Sequence, residues 1–149
     1  MDVGIIAADD RSAPFFAAAA RDVLLIKRCA GCERWLDPGA AGCPACGAAD
    51  PRWEQAAGHG RLVSWAVLPA ANPGTAGPPD DCEAPGASGG PDAPGVLALV
   101  ELDEGPWLRT RLEGTGGTGT AGLRPGLRVI AVFVHPAEGE SYPVFRVAE

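Results

Sequence analysis

The stretch CAGCERWLDPGAAGCPAC, residues 29–46, decides how the rest of the chain is read. Cys29 and Cys32 form one C-x2-C pair, Cys43 and Cys46 a second, and ten residues lie between the pairs. Each short pair makes a tight turn whose backbone amides can point at the sulfurs. Two such turns supply four thiolates, the donor set of tetrahedral zinc. Pro44 within the second pair and Gly47 just after it suit these turns. Four protein ligands leave no open position for water, so the spacing predicts one structural Zn2+ and not a catalytic one. Four thiolates and a dication leave a charge of about −2. Lys27, Arg28 and Arg34 stand beside the site, either as compensating cations or as plain surface charges. Iron on the same four sulfurs is the competing metal, and a chance cluster of buried cysteines is the alternative without metal.

Upstream of the cysteines, Leu24, Leu25 and Ile26 read as a short strand. Before them, Pro14 suits a first helical turn, and Phe15, Phe16, Ala19 and Ala20 share one face that Val23 extends, which predicts a helix over 13–23 with an aromatic edge. Residues 1–12 read as a loose acidic leader. Downstream, Trp53 closes the cysteine module, and Gly58-His59-Gly60 hinges into a strand at 61–68. Residues 69–95 are almost entirely Gly, Pro, Ala, Asp and other small or polar residues, a composition that predicts an unstructured insertion between two strands. Cys82 within it reads as a free thiol. Strands follow at 96–102 and 106–112 around an Asp103-Glu104-Gly105 turn, then at 127–134 and 142–148, with a Gly/Thr-rich loop at 114–120. Five strands with unequal loops fit a small barrel of the OB type, although their order around it is not legible in sequence. The fold class read here is mainly β: an N-terminal helix over 1–28 with its leader, a metal ribbon over 29–56, and a five-stranded OB-fold barrel over 57–149.

Charge and composition narrow the function. The formal net charge is −7 and the pI about 4.8. An acidic surface repels phosphate backbones, which argues against nucleic acid. No run approaches the roughly 18 apolar residues of a membrane span, and MDVGIIAADD lacks the basic start of a signal peptide. Clustered cysteines then point to a reducing, cytoplasmic setting where they bind metal.

No catalytic constellation is legible. His59 and Ser64 differ in strand parity and so point to opposite faces. Glu101, Asp103 and Glu104 straddle a turn and read as solvated. The loop at 114–120 lacks the Lys-Ser/Thr ending of a P-loop. Two patterns are less ordinary. Trp107, Arg109 and Arg111 share one face of their strand, which reads as a ligand stripe for bases or a phosphate, or as a solvated outer face. The strand 127–134 is apolar on both faces, Leu127, Val129, Ala131 and Phe133 on one and Ile130, Val132 and Val134 on the other, so something must cover the second face.

In their order along the chain these features resemble the DUF35 family, in which a rubredoxin-like zinc ribbon precedes an OB-fold domain. The resemblance rests on Phe15-Phe16, the two cysteine pairs, Trp53, the Gly58-x-Gly60-x-Leu62-Val63-Ser64-Trp65 stretch, VLALVEL, Arg124-Pro125-Gly126-Leu127 and Pro143-Val144-Phe145-Arg146. It implies a non-catalytic accessory subunit of a hetero-oligomer, bound to a thiolase-like enzyme acting on acyl-CoA thioesters. A steroid side-chain aldolase or an acetyltransferase is such an enzyme, and some relatives accompany MaoC-type hydratases. The acyl-CoA would be met through the complex. The long insertion at 69–95 departs from the family, so only the four cysteines are carried over as ligands. Phe15, Phe16, Trp107, Arg109 and Arg111 are the expected partner surface. The alternatives are a nucleic-acid-binding OB module and a rubredoxin-like electron carrier.

Overall fold

In a computed structural model that describes residues 5–68, 95–114 and 120–148, Pro14 lies in the first turn of a short helix, α1 (Ala13–Ala19). The helix stops earlier than its periodicity predicts. Asp22 takes a left-handed conformation (φ 59), the Asp22 amide donates to Ala19 O at 3.0 Å, and the Val23 amide donates to Ala18 O at 3.0 Å. This is a Schellman ending with aspartate where glycine is usual. Ala18 and Ala19 are the buried residues, and Ala20 is exposed, contrary to the predicted face. Residues 5–12, the described part of the predicted leader, make defined contacts. Ile6 O accepts the Glu140 amide at 2.9 Å, and the Asp9 carboxylate accepts the Ser12 and Arg11 amides at 2.8 and 3.1 Å.

Three short strands follow: β1 (Leu25–Arg28), β2 (Trp35–Leu36) and β3 (Arg52–Gln55), in the antiparallel order β2-β1-β3. Five more close a barrel: β4 (His59–Leu68), β5 (Gly95–Leu102), β6 (Trp107–Glu113), β7 (Arg128–Val134) and β8 (Tyr142–Val147). Their order is β4-β5-β6-β8-β7, with β7 returning to β4 and a parallel step between β6 and β8. That order and closure are those of an OB barrel. The expected insertion at 69–95, with Cys82, lies outside the described residues apart from Gly95, which begins β5. Most of the 114–120 loop lies outside them as well.

The barrel core follows the two-residue alternation of its strands. In β5, Val96, Ala98, Val100 and Leu102 are buried. They meet Leu62, Leu112, Val129 and Phe145 from the other strands in one cluster, which Leu24, Ile26 and Ala56 join from the three-stranded side. The ribbon base and the barrel therefore share a core. Gly60 is needed where β4 crosses β5, because a Cβ there would stand 2.5 Å from Glu101 O. Leu127, Ala131 and Phe133 pack on this core, while Ile130, Val132 and Val134 on the other face of β7 stay half-buried.

The 103–105 turn is not simply solvated. The Asp103 carboxylate holds the Arg128 guanidinium through two hydrogen bonds, 2.7 and 2.9 Å. Glu104 Oε1 accepts the Ala57 amide at 2.6 Å, fastening the turn to the linker between the two sheets.

Candidate metal centre

Two short turns are presented by the ends of β1 and β2, and they repeat each other. The Glu33 amide donates to Cys29 O at 3.1 Å, as the Gly47 amide does to Cys43 O at 2.9 Å. Cys29 N donates to Arg34 O at 2.8 Å, as Cys43 N does to Ala48 O at 2.9 Å. In both turns the residue after the second cysteine is left-handed: Gly47 at φ 77 and, less expectedly, Glu33 at φ 58. Cys29 and Cys43 are buried, Cys32 and Cys46 exposed.

The four Sγ atoms lie within 4.8 Å of one another. Cys29 and Cys46 sulfurs are 3.4 Å apart, and those of Cys32 and Cys43 3.6 Å. These spacings are far too long for a disulfide, which needs about 2.05 Å. They are near the roughly 3.8 Å edge of a tetrahedron with metal–sulfur bonds of about 2.3 Å. The donor set thus fits a single metal ion.

The turns also favour anionic sulfur. The Cys32 amide, opposed by burial and aided by the Gly31 amide, brings the Cys29 thiol down to about 6. The Cys46 amide likewise lowers Cys43. At Cys32 the Arg34 amide favours the thiolate, but the Cys43 sulfur, burial and the other two sulfurs outweigh it and push the thiol up to about 11. A dication bound by the four sulfurs would favour the thiolate form at Cys32.

The cations beside the site serve the ribbon scaffold. Lys27 Nζ donates to Ala40 O at 2.8 Å and lies 4.8 Å over the Trp53 ring. Arg28 donates to Glu33 O at 2.9 Å, pairs with Glu54 at 3.2 Å and stacks 4.9 Å over Trp35. Arg34 contributes its carbonyl, and its residue is exposed.

A second feature is an apolar groove of about 660 Å³ between the N-terminal segment and the β4-β5-β6-β8 surface. Ile6, Phe15 and Pro38 form one side, Leu97, Leu99, Leu108 and Tyr142 line the other, and Arg109 and Arg111 reach it. The predicted Trp107-Arg109-Arg111 stripe is thereby divided. Trp107 is exposed and Arg109 with it, whereas the Arg111 side chain is only 14% exposed and is paired with Glu113. Phe15 packs on the barrel core and meets Phe16 edge-on at 5.2 Å and Trp53 at 6.4 Å. Phe16 is half-buried.

The parity argument for His59 and Ser64 does not hold, because a bulge between Leu62 and Ser64 resets the alternation of β4. Length keeps the two apart, since five residues of strand span roughly 16 Å. Sequence reasoning missed another trio. His135 Nδ1 is 2.9 Å from Ser141 Oγ, and its Nε2 is 2.9 Å from Asp22 Oδ1. The side chains of His135 and Asp22 are 47% and 68% exposed, so water screens the pair and weakens any polarisation of the hydroxyl. The trio ties the exit of α1 to the β7–β8 turn, 113 residues away in sequence, a separation no local pattern could reveal. Among the described residues no helix is long and apolar enough to cross a membrane.

Residues 53–134, more than half the chain, match the family described as ChsH2, C-terminal OB-fold domain. A Thermomonospora curvata protein described as a probable enoyl-CoA hydratase alpha subunit is 32% identical over 134 residues, 90% of this chain but 36% of its own length, so this chain spans about a third of that relative. Among solved structures, a chain of the Ltp2-ChsH2(DUF35) aldolase superposes with a TM-score of 0.70 at 31% identity, covering 96% of this chain and 98% of that one. A DUF35-family protein of unknown function from Sulfolobus solfataricus matches with a TM-score of 0.56 at 16% identity, over 95% of this chain and 85% of that one, a likeness of fold alone.

Proposed function

The chain belongs to the DUF35 family, and we propose that it is a non-catalytic accessory subunit, binding a thiolase-like enzyme that acts on acyl-CoA thioesters. The observation that carries this reading is the end-to-end likeness to a chain of the Ltp2-ChsH2(DUF35) aldolase, 31% identical with 98% of that chain covered. Within that role the four cysteines hold one structural Zn2+, which fixes the two turns and leaves no coordination position for a substrate. The groove lends an apolar wall to the acyl part of the substrate, and Arg109 at its edge suits an anionic group.

A steroid side-chain aldolase is the version favoured by the ChsH2 likeness. The relative described as a hydratase subunit favours a second version, an enoyl-CoA hydratase as the catalytic partner. Both place the same surface, Phe15, Phe16, Trp107 and Arg109, against another chain. Arg111 belongs less to that surface than its sequence position implied, being engaged by Glu113. The net charge of −7 opposes the nucleic-acid alternative, and one of its three stripe residues, Arg111, is paired with Glu113.

Co-expression with a thiolase-like chain and, separately, a hydratase chain from the native host tests the proposal. The accessory chain alone should leave CoA thioesters unchanged, and its catalytic partner should gain activity when it is added. Turnover by the isolated chain would overturn the reading. Metal analysis of the purified protein should give one zinc per chain, and visible absorption from thiolate-bound iron would instead favour the electron-carrier alternative.

A further inference from the structure

The segment ahead of α1 forms one side of the groove, yet it is fastened differently from the helix that follows. Ala18 and Ala19 are at 0% and 1% exposure, so α1 is anchored in packed surroundings. Ile5 is 71% exposed and Ile6 half-buried. What fastens this segment to the barrel is backbone. Ile6 O accepts the Glu140 amide at 2.9 Å. Gly139 (φ 91) allows the approach, because a Cβ there would stand 2.9 Å from Ile6 O and 3.1 Å from Ile6 N. Between segment and helix lies a turn closed on itself. Asp9 O accepts the Ala13 amide at 2.8 Å, and the Asp9 carboxylate accepts those of Arg11 and Ser12.

An anchored helix, a self-contained turn and a lightly held extension are the parts of a moving flap. Among the described residues, one backbone hydrogen bond and the half-buried Ile6 and Ala8 make a weak hold, of the kind that opens locally while the fold persists. Ile6 is also a groove residue, so opening would remove a wall of the groove and not merely fray a surface. We propose that residues 5–8 are a strap that pivots on the Asp9–Ser12 turn, latches at Gly139-Glu140, and lifts to admit an apolar acyl chain before closing over it. The acyl occupant rests on the function proposed above, whereas the strap itself does not.

Two variants of the full chain separate latch from wall. Gly139→Ala strains a left-handed turn and drives Cβ into Ile6, so amide exchange at Glu140 should quicken about tenfold or more, and tryptic cleavage after Arg11 should quicken with it. Exchange at Leu62 and Val129 and the metal content should stay as in the parent. Ile6→Ala keeps the carbonyl latch but trims the wall and part of the hold, so it should weaken binding of dansylated undecanoic acid several-fold, with a smaller quickening at Glu140 than Gly139→Ala gives. In the parent, that fatty acid should slow exchange at Glu140. Unchanged exchange at Glu140 in Gly139→Ala overturns the strap, and so does loss of protection throughout the barrel, which would make the segment part of the core. If the parent binds no dansylated acid while Gly139→Ala still frees Glu140 selectively, the acyl reading falls and the strap stands.

Discussion

The ribbon tip and the barrel are built from the same kind of short strand but are held by different forces. Around the cysteines the buried residues are Cys29, Leu36 and Cys43, with Ala40 and Ala48 against them. So small a cluster cannot offset the entropy of ordering the two turns. The barrel gathers Leu62, Val96, Val100, Leu102, Leu112, Val129 and Phe145 into a continuous core. β1 joins the two, since Ile26 lies in the large cluster and Cys29, the residue just after the strand, in the small one. One region is held by coordination and the other by hydrophobic burial, and they meet along a single strand.

The sharpest way to break this contrast is to remove the metal. Structural zinc in small modules contributes apparent binding energies of about 10–16 kcal/mol. Cys43→Ser, or a strong chelator, should abolish metal binding and expose residues 29–51 to amide exchange, while the barrel strands keep their protection. Retention of full metal content by the variant would refute the ligand assignment. Simultaneous loss of all barrel protection would show that the two regions are not energetically distinct.

The converse change is Phe145→Ala. Phe145 is fully buried between β6 and β7. Its truncation should cost about 3–5 kcal/mol, seen as a lower melting temperature, with the metal stoichiometry unchanged below the transition. Equal loss of metal and melting would mean that the tip depends on the barrel.

Phe16 tests the seam. Its edge-on contact with Phe15 is worth roughly 0.5–1.5 kcal/mol. Phe16→Ala should lower stability by at least that amount, since buried apolar area is lost with it, keep its metal, and weaken co-purification with the catalytic partner. Unaltered partner affinity would move the interface to the exposed Trp107.

The smallest effect concerns pH. The Arg128 guanidinium holds the Asp103 carboxyl below its ordinary value. A carboxylate lowered on folding adds stability above the unfolded-state value, and that stability is lost as pH falls through the folded one. The side chains are 42% and 44% exposed, so the contribution should lie between zero and about 1 kcal/mol. Asp103→Asn should lower the melting temperature slightly near pH 7, and the difference from the parent should shrink as pH falls below about 4. A melting temperature equal to the parent's near pH 7 would show that the pair adds nothing.

Legibility in the sequence followed the range of each interaction. The C-x2-C spacing is local chemistry, and it predicted the four converging sulfurs. The alternation in VLALVEL predicted the inward residues of β5, because strand periodicity is local too. Five strand-length segments with unequal loops foresaw the barrel class, and the family resemblance implied the same. Strand order was not legible, since the parallel contact of Leu112 with Phe145 depends on closure. Neither was the end of α1, because Ala20-Arg21 carries no stop signal and aspartate at a left-handed position is uncommon. The bulge at Val63 reversed an argument drawn from parity. Glu33 occupies a position where glycine would have announced the turn, as Gly47 does.

The core shared across the linker has a consequence for anyone wishing to transplant these parts. A cut at Ala57 looks natural from the chain order, but it would strip Leu24, Ile26 and Ala56 from the packing of the barrel and leave an oily scar on its flank. The exchangeable cassette is instead the tip between Cys29 and Pro51, which could be traded for another metal-binding loop provided that β1 and β3 stay behind as its mounting rails.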